Sequence, residues 1–96
     1  MATDIDLARS IIYRTCFLKD SGATYVKFAS MSKLFTTEMA CRVVDRALQI
    51  HGGVGYIHGN RIERLYRDVR ALPIYEGTSE IQKNIIASAI LNNRFQ

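Results

Sequence analysis

Tryptophan is absent from this chain, proline occurs once and cysteine twice. A lone Pro73 leaves long stretches free to be helical, since nothing else removes a backbone donor. No apolar run approaches the roughly 20 residues needed to cross a bilayer, so no membrane span is expected. The opening residues Met1-Ala2-Thr3-Asp4-Ile5-Asp6 carry two acids and no basic stretch, which excludes a secretory signal there. Cys16 and Cys41 form no CxxC pair and each falls within a helix-period pattern. They read as buried free thiols in a reducing compartment, not as a disulfide or a metal site. Strand-like alternation is missing throughout. So are internal repeats, low-complexity segments and any linker.

What is present is a globular composition: 96 residues, 48% hydrophobic, with a net charge of +4. This is enough for one small domain. Much of the positive excess lies in Arg61, Arg64, Arg67 and Arg70, interleaved with Glu63 and Asp68. Interleaving favours a solvated helix with internal ion pairs, or a face turned to a pyrophosphate, over a nucleic-acid surface.

Ile5, Ala8, Ile12 and Cys16 step at helical spacing and predict a first helix over 3–19, ended by Asp20-Ser21-Gly22. Phe28, Met31, Phe35, Met39, Val43, Ala47 and Ile50 mark a second over 25–50, stopped by Gly52-Gly53. Val26, Leu34, Val44 and Leu48 lie off that stripe, so this helix should be covered on more than one side. A Gly-rich turn fills 51–60. Ile62, Leu65, Tyr66 and Val69 give a short amphipathic helix over 61–71, broken at Leu72-Pro73. The last helix runs over 79–92, with Ser79 and Gln82 at capping-box spacing and Ile81, Ile85 and Ala89 as its buried stripe. The fold expected is all-α, an antiparallel helical bundle.

Three stretches could carry chemistry. Glu76 stands between Pro73 and the Gly77-Thr78-Ser79 start of the last helix, where a carboxylate either stabilises the helix dipole or accepts a proton. Thr78-Ser79-Glu80 offers capping hydroxyls, and free N–H groups that suit an anion. Gln49-Ile50-His51-Gly52-Gly53 reads as a helix end with a glycine stop. It is no dinucleotide fingerprint, because position 58 is His and no strand precedes it. His51 and His58 lack partners at ligand spacing and read as turn residues, with no metal expected.

The stretch from Ala47 to Ala87, ALQIHGGVGYIHGNRIERLYRDVRALPIYEGTSEIQKNIIA, resembles the C-terminal helical domain of the acyl-CoA dehydrogenases. The resemblance extends upstream through Lys19-Asp20 and Ser30-Met31-Ser32-Lys33-Leu34-Phe35. It makes residues 1–96 one such domain, with the family's N-terminal helical and middle β-domains absent. It implies FAD as cofactor and α,β-dehydrogenation of an acyl-CoA thioester. Glu76, in the Tyr-Glu-Gly-Thr motif of the short- and medium-chain-like members, would take the α-proton while hydride passes to flavin N5. The Glu76 N–H would help polarise the thioester carbonyl, and Gly77 would let substrate approach. Thr78, Ser79 and Glu80 would touch FAD. Gln49, Ile50, His51, Gly52 and Gly53 would reach the FAD of a neighbouring subunit, making the protein a homo-oligomer, dimer or tetramer. Arg67-Asp68 would pair and order the loop that carries Glu76. Electrons would leave to an electron-transfer flavoprotein, in a bacterial cytoplasm or a mitochondrial matrix. The fragment alone is expected to be inactive; the rival reading is a non-catalytic helical oligomerisation module.

Overall fold

In the computed structural model, described for residues 1–92, five helices follow one another: α1 (Ala2–Asp20), α2 (Val26–His51), α3 (Gly53–Tyr56), α4 (Arg61–Val69) and α5 (Ser79–Asn92). The 26-residue α2 is the spine, and α1, α3, α4 and α5 all pack on it. That coverage half-buries Leu34, Val44 and Leu48 off the main stripe but leaves Val26 exposed, against expectation. No described helix is long and apolar enough to cross a membrane.

The link from α1 to α2 is a Schellman turn. Gly22 takes the left-handed position with φ 74°, its N–H donates to Lys19 O, and the Ala23 N–H donates to Leu18 O. The chain reverses there, so α1 runs antiparallel to α2. Asp4 lies near Arg46 at one end, and Thr15 meets Ser32 and Phe28 nearer the other.

The buried face of α1 differs from the expected one. Ala8 is buried, and Ile11, Thr15 and Leu18 share its side, whereas Ile5, Ile12 and Cys16 are exposed. Cys16 is therefore free but not buried; Cys41 is free and half-buried. The helix is apolar on two faces, and the one that packs contains a threonine. Its hydroxyl lies 2.7 Å from Ser32 Oγ and donates to Ile11 O at 2.8 Å, so burying it leaves nothing unsatisfied. Small buried residues, Ala8 on α1 and Ser32 on α2, suit a close approach of the two helices, and Ser32 Oγ donates to Ile11 O at 3.2 Å.

Asn60 caps α4: its Oδ1 accepts from the Ile62 N–H at 3.1 Å. Ile62 packs where Gly55 leaves room, for a Cβ at Gly55 would meet Ile62 Cγ2 at 3.3 Å and His51 Cβ at 2.6 Å. The helix ends at Val69, two residues short of the expected Ala71, and tight turns carry the chain on, Ala71 N–H to Asp68 O and Leu72 N–H to Val69 O. The Gly-rich stretch is not all turn, since α3 makes one helical turn within it.

The start of α5 also departs from expectation. Thr78, not Ser79, is the cap, its Oγ1 accepting from the Ile81 N–H at 3.3 Å. Ser79 and Gln82 are buried while Ile81 is 49% exposed, so the inward row of the first turn is polar. That inversion of the usual pattern marks the site.

Candidate functional site

Between α4 and α5 the chain makes a turn that carries Glu76. Among the described residues Glu76 is the one non-glycine residue with positive φ, 53°, and Gly77 follows at φ 91°. The left-handed region costs an L-residue roughly 1–2 kcal/mol, so the surroundings must impose it. Three donor groups do so. The Ser79 N–H closes the base of the turn onto Pro73 O at 3.0 Å. Lys33 Nζ, from α2, donates to Leu72 O at 2.7 Å and to Gly77 O at 2.6 Å. The Gln82 side-chain amide donates to Glu76 O and Gly77 O, each at 3.4 Å.

The turn leaves Glu76 exposed, and among the described residues its carboxylate joins no ion pair and its N–H meets no acceptor. A carboxylate and an N–H on one rigid residue, both available to an incoming group, can take a proton and polarise a carbonyl together. Gly77 packs against the Gln82 amide so closely that a Cβ there would lie 2.5 Å from Nε2.

The expected Arg67–Asp68 pair does not form, and it does not order this turn. Arg67 Nε donates to Glu63 Oε1 at 2.6 Å and Arg64 pairs with Asp68 at 3.5 Å, each one helical turn apart along α4. Adjacent residues on a helix diverge by about 100°, so the i,i+4 partners win. Lys33 and Gln82 hold the Glu76 turn instead. Sequence reading passed over both. Lys33 offered one signal, a lone cation on the face of α2 shared with Ser30, Thr37 and Val44. Gln82 offers only its spacing from Ser79, which equally suits a capping box.

Beside the turn, Thr78, Ser79 and Glu80 open onto a cleft of about 440 Å³ whose other walls include Glu38, Arg42 and Arg70. Ser79 Oγ is buried with no hydrogen-bond partner among the described residues. An orphaned hydroxyl at a helix N-terminus, with two arginines nearby, fits an anionic cofactor group.

Gln49, Ile50, His51, Gly52 and Gly53 lie elsewhere. They end α2 and are exposed, with Gly52 at φ 62° and His51 Nδ1 turned to Ala47 O at 2.8 Å. Gln49 lines a separate cavity with Tyr56, Glu63 and Tyr66. Lys33, which touches Gly77, stands about 24 Å along α2 from Gln49. One copy of the chain brings Glu76, Gly77, Thr78, Ser79 and Glu80 together and keeps the Gln49–Gly53 end apart.

Residues 1–91 match the family model described as acyl-CoA dehydrogenase, C-terminal domain. The 3-(aryl)acrylate reductase of Clostridium sporogenes is 50% identical over 91 residues, 95% of this chain and 24% of that protein. The mitochondrial short-chain specific acyl-CoA dehydrogenase of Homo sapiens is 43% identical over 93 residues, 97% of this chain and 23% of that protein. The solved structure of butyryl-CoA dehydrogenase from Megasphaera elsdenii superposes with a TM-score of 0.91 at 34% identity, over 95% of this chain and 24% of that one. The chain thus spans about a quarter of the length of the curated relatives it matches.

Proposed function

The chain belongs to the acyl-CoA dehydrogenase family, and on that premise we propose that it serves as the C-terminal domain of an FAD-dependent enzyme that desaturates an acyl-CoA thioester between Cα and Cβ. Glu76 takes the α-proton. The observation that carries this reading is its backbone: a non-glycine residue held at φ 53° by bonds from two other helices. Strain of that kind persists where the surroundings over-determine it, and active sites are where it clusters.

The chain's own residues divide the work. The Glu76 N–H faces the thioester carbonyl and acidifies the α-proton, and the Glu76 carboxylate accepts it. Gly77 leaves the acyl chain room beside the backbone. Thr78, Ser79 and Glu80 hold the cofactor, the unpartnered Ser79 hydroxyl supplying one contact. Bound FAD supplies the hydride acceptor. Gln49, Ile50, His51, Gly52 and Gly53 serve the cofactor of a neighbouring copy, which makes the working protein a homo-oligomer, dimer or tetramer. Electrons pass on to an electron-transfer flavoprotein. In the reductive direction, the one printed for the Clostridium sporogenes relative, the protonated Glu76 carboxyl returns the proton. The working compartment is a bacterial cytoplasm or a mitochondrial matrix, in keeping with the relatives' sources.

In an enzyme carrying this chain as its C-terminal domain, Glu76→Gln should retain flavin and lower kcat about 10²- to 10⁴-fold. Turnover at the unsubstituted rate would overturn the base assignment. A second reading, a helical oligomerisation module, is favoured by the apolar side chains left exposed, such as Tyr13, Phe17 and Ile50, each above 70%. Flavin titration of the isolated chain tests the module reading. Flavin uptake with bleaching by acyl-CoA would make this domain sufficient for activity. Assembly without uptake is expected of the chain alone.

A further inference from the structure

We infer that Lys33 is the positioning residue of the Glu76 turn, its ammonium tying the two ends of that turn to α2 and so fixing where the Glu76 carboxylate stands. The inference rests on Glu76 being the proton acceptor. Its ground is the placement of two short hydrogen bonds. Leu72 O precedes Pro73 and Gly77 O follows Glu76, and the same ammonium donates to both, at 2.7 and 2.6 Å. Lysine carries three donors and no acceptor, and charge-assisted bonds of this length are about twice as strong as neutral ones. Among the described residues Lys33 joins no ion pair, so the carbonyls of the turn are its partners. Gln82 is no substitute. Its amide is neutral, its contacts are 3.4 Å, and both fall at the downstream end of the turn. Beside the backbone bond from the Ser79 N–H to Pro73 O, Lys33 is the side chain that spans the segment containing the strained residue. Without it Leu72 O loses its donor, Gly77 O keeps only the long Gln82 contact, and the left-handed Glu76 loses its charged restraint.

Lys33→Met keeps the length of the aliphatic stem and removes the charge and the donors. In an enzyme carrying this chain as its C-terminal domain, the variant is expected to retain flavin while kcat falls about ten- to a hundredfold, the cost of a carboxylate displaced by an ångström or so. KM should change far less than kcat, and the isotope effect with α-deuterated substrate should rise, because proton removal has become the slow step. A role in folding alone would not raise it. In the chain itself, hydrogen exchange at the Ile74, Tyr75 and Ser79 amides, which close the turn onto Ala71 O and Pro73 O, should quicken while α2 stays protected. Wild-type kcat and isotope effect, or unchanged exchange in the turn, would overturn the assignment. If Lys33→Met does not fold, Lys33→Gln takes its place, with the same losses expected and the same results overturning it. Glu76→Gln in the same enzyme keeps the two ideas apart. An active Glu76→Gln enzyme removes the base assignment and this inference together. An inactive one beside a Lys33→Met enzyme of wild-type behaviour removes this inference alone.

Discussion

Glu76 and Gly77 are neighbours with positive φ, 53° and 91°, yet they answer substitution in opposite senses. Glycine enters the left-handed region without the Cβ penalty, so Glu76→Gly should stabilise the fold by about 1 kcal/mol while removing the proposed proton acceptor. Gly77→Ala should destabilise it by more than the 1–2 kcal/mol of the φ penalty alone, because the new methyl would fall 2.5 Å from Gln82 Nε2. Urea unfolding midpoints of the two variants check this. A Glu76→Gly chain no more stable than its parent would mean that the turn carries no strain. This is the expected signature of a residue kept for its chemistry at the expense of stability. The identity and place of Glu76 were legible in the sequence, from Pro73 before it and the helix start after it. Its left-handed backbone was not, because the bonds that impose it come from Lys33, more than forty positions away, and from Gln82.

At the scale of the element, α4 shows how charge order decides what pairs. The Arg67 guanidinium, bonded at 2.6 Å, holds the Glu63 carboxyl below its ordinary 4.5 despite the opposing effect of desolvation, and His58 and the Gly59 N–H assist. A lowered folded-state value means that the folded chain prefers the ionised carboxylate. Its stabilisation is complete above pH 4.5 and drains away as acid protonates the unfolded chain first, until it is gone below the folded value. Glu63→Gln should therefore flatten the loss of stability below pH 4.5, measured as unfolding midpoint against pH, and leave neutral-pH behaviour nearly unchanged apart from the lost pair. Had Arg67 paired with Asp68 as its sequence neighbour, Asp68→Asn would have that effect instead. The existence of α1, α2, α4 and α5 was legible from apolar periodicity, and the reversal at Gly22 from its left-handed C-terminal glycine. The inward faces of α1 and α5 were less so. Thr15 on α1 and Gln82 on α5 are buried or half-buried because specific acceptors await them, and periodicity weighs apolar rows without seeing acceptors.

The whole molecule is long and thin, 54 × 23 × 18 Å, with a radius of gyration of 16.2 Å where a compact chain of this length would have about 12.5 Å. It exposes 7087 Å², against about 5,600 Å² for a compact monomer of 10.9 kDa. Ala8, Met39 and Ile62 are its only buried apolar residues among those described. A core so thin, with Tyr13 and Phe17 on α1 and Ile50 and Tyr56 at the α2–α3 end each above 70% exposed, suits the proposed reading in which these apolar faces meet other protein surface. The length of α2 then has a genetic consequence. Its rise of about 24 Å from Lys33 to Gln49 assigns the Glu76 turn and the Gln49 end of one subunit, on the proposed reading, to two different sites. A pair formed from one Glu76→Gln subunit and one Gln49→Ala subunit would hold one site with both lesions and one with neither. Two preparations, each inactive by itself, should complement when refolded together. A mixture as silent as its parents would mean that a single copy furnishes the whole site.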